Sequence, residues 1–345
     1  MVNVGGSAAC GGMVIEMHGR ASRKNEKNNA RMKITAIEPI GISEAKAQEI
    51  AEQLAKQNLE FQCYRDRKED TAILVERMKD AEVVIVSNIK IGADVLSQCP
   101  KLKLLDVAFT GLDHIDLAYC EAHGIKVVNA SGYATECVAE LAIGLMIDVY
   151  RHITALDADT RQGGARNNFL GRELRGKRVG IVGTGAIGAR TAQLLQCFGC
   201  EVVAWSRSER QEVLDMGVAY LPLDELMRTS DIISLHVPLT AETHHLISRE
   251  LLALCKPTAV LINTARGNVV DMDALADALC NGKLAGAGID VFEKEPPLAT
   301  DHPLLHAPNC VVVPHVGYAT REAFDDRIDI VINNIYRELN IDATV

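Results

Sequence analysis

Three side chains near the ends of apolar runs could do chemistry: Arg266 in Asn263-Thr264-Ala265-Arg266-Gly267, Glu295 in Asp290-Val291-Phe292-Glu293-Lys294-Glu295-Pro296, and His315 in Pro314-His315-Val316-Gly317. A guanidinium is a planar fork of donors that suits an anion, a carboxylate accepts hydrogen bonds, and an imidazole exchanges protons near neutral pH. Ligands of open α/β sheets bind outside the carboxyl ends of the strands, so the three groups are expected to converge on one crevice. Taken singly, each has a structural alternative: Arg266 as a surface helix cap, Glu295 as a loop carboxylate before two prolines, His315 as a core histidine at a strand end. Their joint placement argues for a site. Among the remaining histidines, His244-His245 and the His302/His306 pair lack further ligands in sequence, and Pro303 breaks an i, i+4 helical reading. No metal site is expected.

The element that must position a ligand beside these groups is Arg178-Val179-Gly180-Ile181-Val182-Gly183-Thr184-Gly185-Ala186-Ile187-Gly188, an apolar strand, a glycine-spaced turn and the start of a helix. Gly183 permits the tight turn, Gly185 admits a pyrophosphate, and Gly188 lets helix and strand pack closely, while the helix N-terminus offers free N–H groups and a positive dipole end. This combination predicts a dinucleotide-binding turn. An NAD-type fingerprint carries Asp or Glu about 20 residues further on, to accept from the ribose 2′-OH. Here strand two ends in Ala204-Trp205-Ser206-Arg207-Ser208, with Arg210 beyond, so NADP(H) is expected in preference to NAD(H). The alternative is that Arg207 only stacks on adenine and serves either cofactor.

Around this turn the chain reads as strands alternating with helices, the pattern of parallel sheets covered on both faces. Strand-like segments fall at Ile34 to Ile40, Glu60 to Tyr64, Val83 to Val86, Leu102 to Phe109 and Val127-Val128, and helical patterns at Ala45 to Gln57, Leu74 to Lys79 and around Ala93 to Ser97. This first unit has no glycine fingerprint and reads as a second α/β domain. A long apolar helix is expected from Thr135 to about Arg151, buried between domains or subunits. Residues 161–176 read as a loop. Six strands are expected after residue 176: the fingerprint strand, Glu201 to Trp205, Asp231 to Val237, Ala259 to Asn263, Gly286 to Val291 and Val311 to Pro314. A last helix, Thr320 to Leu339, is expected to return to the first domain. The expected fold class is α/β: two doubly wound parallel-sheet domains, a Rossmann dinucleotide-binding domain (131–316) inserted into a flavodoxin-like substrate domain (32–130 and 317–345).

The 345 residues suit two domains, and 48% hydrophobic with 24% charged residues describes a globular chain. A net charge of -10 argues against a nucleic-acid partner. Ten scattered cysteines suggest reduced thiols and a cytoplasmic location, and Cys197-Phe198-Gly199-Cys200 falls where a helix should end and a strand begin, which favours packing over redox chemistry. No apolar run reaches the roughly 18 residues of a membrane span. Residues 1–31 are rich in Gly, Asn, Lys and Arg, and Met32 reads like a protein start, so they are expected to be a disordered extension outside the fold.

Four motifs in order, Gly183 to Gly188, Asn263 to Gly267, Gly288-Ile289-Asp290-Val291-Phe292-Glu293-Lys294-Glu295-Pro296 and Pro314-His315-Val316-Gly317-Tyr318-Ala319-Thr320, resemble the signatures of the D-isomer-specific 2-hydroxyacid dehydrogenases. The resemblance extends to Thr110-Gly111-Leu112-Asp113-His114-Ile115-Asp116 and Gly132-Tyr133-Ala134-Thr135, and covers nearly everything from Met32 onward. It implies an NAD(P)H-dependent reductase that converts a small 2-oxo acid, of the glyoxylate, hydroxypyruvate or pyruvate class, to its D-2-hydroxy acid. His315 would be the acid/base, Glu295 its hydrogen-bonded carboxylate, and Arg266 the clamp on the substrate carboxylate and carbonyl. Gly183, Gly185, Ala186, Ile187, Gly188, Ser206, Arg207, His236, Pro238, Thr243, Thr264, Ala265 and Asp290 would bind the cofactor, Asp290 at the nicotinamide carboxamide. Asn88, Thr110 and Gly111 would join Arg266 around the substrate. Tyr318 stands where many relatives carry a small residue and would narrow the pocket. The helix after Thr135 resembles the family's dimer-forming segment, so a homodimer is expected. Two other readings share the scaffold: a dehydrogenase of another substrate, of the phosphite or formate type, and a dinucleotide-binding corepressor-like scaffold.

Overall fold

A computed structural model describes residues 31–341, except 167 and 296–297. The expectation for residues 1–31 lies, Arg31 apart, outside the described residues. From Met32 on, the chain forms one compact unit built on two parallel sheets.

The first sheet alternates β1 (Met32–Ala36), α1 (Glu44–Lys56), β2 (Leu59–Cys63), α2 (Thr71–Met78), β3 (Val83–Val86), α3 (Ala93–Leu96), β4 (Leu104–Val107), α4 (Leu117–Ala122) and β5 (Lys126–Asn129), in the spatial order β2-β1-β3-β4-β5. All four pairings are parallel. The central strands β3 and β4 are buried at every position, which is why they read as unbroken apolar runs. The helices start where the sequence supplies a cap: Ser43 accepts from the Lys46 N–H, and Asp70 accepts from those of Ala72 and Ile73.

Two helices lead on, α5 (Thr135–Arg151) and α6 (Ile153–Arg161). The first turn of α5 joins the core of the first sheet through Cys137 and Val138, and its remainder packs on the second sheet through Ala142, Leu145, Met146 and Val149. The second sheet comprises β6 (Arg178–Val182), α7 (Ala186–Cys197), β7 (Glu201–Trp205), α8 (Gln211–Asp215), β8 (Ala219–Tyr220), α9 (Leu223–Thr229), β9 (Ile232–Leu235), α10 (Arg249–Leu252), β10 (Val260–Asn263), α11 (Met272–Cys280), β11 (Gly286–Ile289) and β12 (Cys310–Val312). Its strand order is β12-β11-β10-β9-β6-β7-β8, so the order reverses at β6, the strand that carries the glycine turn. Finally α12 (Arg321–Glu338) packs against β4 and β5 with Ile328, Val331 and Ile335 in the first core.

The structure corrects the sequence reading in three places. The second sheet has seven strands among the described residues rather than six: β8 is a two-residue edge strand, too short for an apolar period. β1 stops at Ala36 rather than Ile40, because the next residues turn Glu38 inward ahead of Pro39. After α5, which ends at Arg151 as expected, comes a helix that the sequence reading did not assign, α6, set off by His152, whose φ of 51° is left-handed.

Candidate active site

The glycine turn sits between the ends of β7 and β9: Gly183 donates to the Trp205 carbonyl at 2.7 Å, and His236 donates to that of Val182 at 2.7 Å. Gly183 has φ +98°, and a Cβ on Gly188 would lie 1.9 Å from the Gly183 carbonyl oxygen, so neither position accepts a side chain without moving the turn. Gly185 is different, since a Cβ there would meet nothing within 4 Å. It caps α7 with no side-chain hydrogen bond, leaving the helix N-terminus with Ala186 and Ile187 open to a ligand. This open cradle fits a pyrophosphate. A second feature fits a dinucleotide further along the strand ends. The Thr264 hydroxyl is buried without a hydrogen-bond partner among the described residues.

Other expected cofactor residues line the same edge. Ser206 is half-buried at the end of β7, and Arg207 is exposed beyond it. Arg210 reaches back to the Thr184 carbonyl at 3.4 Å, and the Tyr220 hydroxyl donates to the Thr184 hydroxyl at 2.8 Å, so both sit on the glycine turn. After β9, the Thr243 hydroxyl donates to the Pro238 carbonyl at 2.6 Å and accepts from the Thr240 N–H at 2.8 Å, which shapes that loop. The His236 ring lies 2.9 Å from the Ser234 hydroxyl, and burial pushes the imidazole down to about 4, so it is neutral.

Two strand-end loops of the second sheet present the chemistry. After β10, the fully buried Asn263 donates to the Arg266 carbonyl and accepts from the Ala265 N–H, both at 3.0 Å, which folds residues 263–266 into a tight turn. A Cβ on Gly267 would lie 2.0 Å from the Phe292 carbonyl carbon, so the Arg266 loop and the loop that carries Glu295 are in backbone contact. Glu295 accepts from the Phe292 N–H at 2.7 Å with one oxygen and lies 2.5 Å from His315 Nδ1 with the other. His315 has a left-handed φ of 53°. It is held so by its own N–H to the Asp290 carbonyl at 2.7 Å, and by the Asp290 carboxylate accepting from the Val316 and Gly317 N–H groups at 2.7 and 2.9 Å. Asp290, 1% exposed, therefore supports the His315 turn, a role that its spacing did not reveal. Burial raises its pKa, against the two backbone N–H groups that lower it.

From the first sheet, the loop after β4 closes on Arg266. The Asp113 carboxylate accepts from Arg266 Nε and Nη2 at 3.3 and 3.2 Å, while Nη1 donates to the Ala265 carbonyl at 2.8 Å. Burial would raise the Asp113 carboxyl, but the guanidinium outweighs it and the pKa is lowered. A Cβ on Gly111 would fall 2.0 Å from Arg266 Nη2, so the bare backbone of this turn lies against the guanidinium. The Thr110 carbonyl is tied to Asn129 Nδ2 at 2.7 Å. Phe109 fills the space between the loops, with its ring centre 6.1 Å from His315, 5.2 Å from Tyr318 and 5.7 Å from Arg266 Cζ. Tyr318 stands edge-on to His315 at 5.4 Å. Arg266, Glu295, His315, Thr110 and Gly111 are thus brought together. Asn88 stands one loop away, after β3. Asp113, whose charge is offered by a turn that read as backbone only, was missed. No group of three metal-ligating side chains occurs among the described residues, and no helix there is long and apolar enough to cross a membrane.

Comparison with known proteins agrees with this geometry. Residues 143–317 match the profile of the D-isomer specific 2-hydroxyacid dehydrogenase, NAD binding domain. The chain is 39% identical to a glyoxylate reductase of Thermococcus litoralis over 288 residues, 80% of this chain and 86% of that protein. It is 39% identical to a hydroxypyruvate reductase of Thermotoga maritima over 274 residues, 78% of this chain and 88% of that one. Among solved structures, an acyclic imino acid reductase in complex with NADPH and D-Arg superposes with a TM-score of 0.81 at 30% identity, covering 90% of this chain and 97% of the other. With two parallel-sheet domains, a dinucleotide turn at the switch strand and these relatives, the chain belongs to the D-isomer specific 2-hydroxyacid dehydrogenases, enzymes dependent on a nicotinamide dinucleotide.

Proposed function

We propose that this protein reduces a small 2-oxo acid to the D-2-hydroxy acid, with His315 as acid/base, Glu295 as its partner and Arg266 as the clamp on the substrate. The contact of His315 Nδ1 with Glu295, beside an Arg266 that faces the same crevice, carries this reading. Residues Gly183 to Gly188 would hold the pyrophosphate, with Ser206, Arg207, Pro238 and Thr243 along the ribose edge, and His236, Thr264, Ala265 and Asp290 toward the nicotinamide. When bound, the reduced nicotinamide supplies the hydride that the carbonyl carbon accepts.

The protein's own residues do the rest. The Arg266 guanidinium binds the substrate carboxylate and polarises the carbonyl, and the N–H groups of the Thr110–Gly111 turn face the same anion. With Nδ1 engaged by Glu295, the imidazole delivers its proton from Nε2 to the carbonyl oxygen as the alkoxide forms. Glu295 holds the ring in that orientation through the Nδ1 contact. Phe109 and Tyr318 exclude water above the imidazole.

Arg207 and Arg210, with no carboxylate at Ser206, favour NADP(H) over NAD(H). The exposed Ile153 and Leu170 near α5 and α6 support a homodimer, and the nine free cysteines among the described residues suit a reducing cytoplasm. The decisive test is NADPH and NADH oxidation against glyoxylate, hydroxypyruvate and pyruvate, with Arg266→Ala and Glu295→Gln beside the parent. If cofactor binds and no 2-oxo acid is reduced, the reading is wrong. Sizing chromatography tests the dimer.

A further inference from the structure

Arg266, the residue given the substrate carboxylate above, is already in contact with a carboxylate of its own chain. Asp113, on the loop after β4, accepts with one oxygen, Oδ1, from Arg266 Nε at 3.3 Å and from Nη2 at 3.2 Å, across 153 residues of sequence. A guanidinium presents paired N–H groups to a carboxylate on two edges, Nε with Nη2 and Nη1 with Nη2. Asp113 takes the first. On the second, Nη1 donates to the Ala265 carbonyl at 2.8 Å, and Nη2 lies 2.0 Å from where a Cβ on Gly111 would stand, so backbone closes that edge. A substrate carboxylate bound as a fork therefore needs the edge that Asp113 holds.

The contact is one that can be given up. Both distances exceed the about 2.7–2.9 Å of a strong charge-assisted pair, and one oxygen shared by two donors matches the edge less well than two oxygens. The Asp113 side chain is 40% exposed, so it can turn into water. Arg266 does not depend on it for its place: Nη1 stays tied to the Ala265 carbonyl, and the guanidinium carbon lies 5.7 Å from the centre of the Phe109 ring. Burial raises the Asp113 carboxyl, the Arg266 charge lowers it by more, and the group is an anion at neutral pH.

We propose that Asp113 is an internal competitor for the substrate, a carboxylate that occupies the Arg266 fork and is displaced when a 2-oxo acid binds. The inference rests on the reading of function given above. A contact made only in the unliganded form stabilises that form, so it weakens binding according to how rarely Arg266 is open. It also sorts ligands. A 2-oxo acid brings two carboxylate oxygens and a carbonyl oxygen to Arg266, more than the single oxygen of Asp113, whereas an anion that offers one oxygen gains nothing by the exchange. Removing the Asp113 charge should therefore tighten substrate binding, which the loss of a structural ion pair or of an orienting partner would not do.

Oxamate, an isostere of pyruvate whose amide carbonyl is not reduced, reads binding apart from turnover. Its Kd for the complex of the protein with NADPH, or with NADH where that binds better, is followed by quenching of the reduced nicotinamide fluorescence. Asp113→Asn keeps the shape and loses the charge. Asp113→Ser is a second variant with a smaller side chain, and cofactor titration shows that each is folded. Both are expected to bind oxamate about fivefold tighter than the parent, the upper range for a partly exposed ion pair, and KM for hydroxypyruvate should fall with the Kd. If neither variant binds oxamate more than about twofold tighter, the inference is overturned and Asp113 is a structural or orienting partner of Arg266. A parent that binds cofactor, but neither binds oxamate nor reduces glyoxylate, hydroxypyruvate or pyruvate, overturns the reading of function and this inference with it.

Discussion

The two sheets present their carboxyl ends to the same crevice, but they hold their loops in different ways. In the second sheet many of the holding contacts are local, Gly183 against Gly188, Asn263 against Ala265 and Arg266, Glu295 against Phe292, and the Asp290 carboxylate reaches only 26 and 27 residues on to Val316 and Gly317. In the first sheet they join distant residues: Glu38 reaches the loop 87–89, Arg67 reaches Asn88, and Asp106 reaches Asn334, 228 residues away. A loop that closes on itself keeps its geometry wherever its sheet goes. A loop held by remote side chains depends on the fold being complete, and its chemistry is invisible in any short stretch of sequence.

Removing the proposed proton donor breaks the local half most directly. His315→Ala should lower kcat by about 10²–10⁴, the range of a general acid, with much less change in the affinity for cofactor. Activity that survives the substitution removes His315 from the proposed role of acid. Next in size is Gly267→Ala. Its Cβ would stand 2.0 Å from the Phe292 carbonyl carbon and 2.5 Å from the Glu293 nitrogen, both backbone atoms that cannot swing away. It should cost about 1–3 kcal/mol of stability through overpacking, and kcat should fall about tenfold because Arg266 and Glu295 are pushed apart. Thermal unfolding and steady-state kinetics measure the two effects, and a fully active Gly267→Ala variant would show that the two loops need not touch.

The cofactor edge gives a smaller effect. If Arg207 and Arg210 meet a 2′-phosphate, kcat/KM should favour NADPH over NADH by about tenfold, as expected for one or two charge-assisted hydrogen bonds. The double variant Arg207→Ala, Arg210→Ala should erase that ratio while leaving NADH nearly unchanged. A clear advantage for NADH in the parent contradicts the assignment.

The same contrast explains what was legible in the sequence. The glycine turn, the strand-end positions of Arg266, Glu295 and His315, and the alternating strands could be read because each is a contiguous pattern: glycine spacing or a buried apolar run. β8 was not legible because a two-residue edge strand has no period, and α6 was not because none of its residues is buried, which leaves no inward-facing stripe to read. Asp113 as the partner of Arg266, separated by 153 residues, and Glu38 as the anchor of Asn88 could not be read, because no local spacing encodes a pairing between distant loops. Asp290 was assigned to the cofactor by resemblance, and its support of the His315 turn appears only in the folded chain.

The smallest effect probes the distant half. Asp106 lies on β4, fully buried, and one of its oxygens accepts from Asn334 Nδ2 of α12 at 3.2 Å while the other has no partner among the described residues. Burial raises the carboxyl to about 8, opposed by the Asn334 hydrogen bond and the charge of Arg337. A carboxyl whose folded pKa lies above its unfolded value is most stabilising when protonated, below the unfolded value near 3.8. That contribution is lost as pH rises through about 8, where the buried group must ionise or the chain must open. Asp106→Asn keeps the acceptor for Asn334 and cannot ionise. Its Tm should match the parent near pH 5 and exceed it by roughly 2–4 °C at pH 9, the shift expected for about 1 kcal/mol. If the two proteins unfold at the same temperature across that range, Asp106 is not a titrating link between β4 and α12, and the long-range hold on the first sheet's loops rests on Glu38 and Arg67 instead.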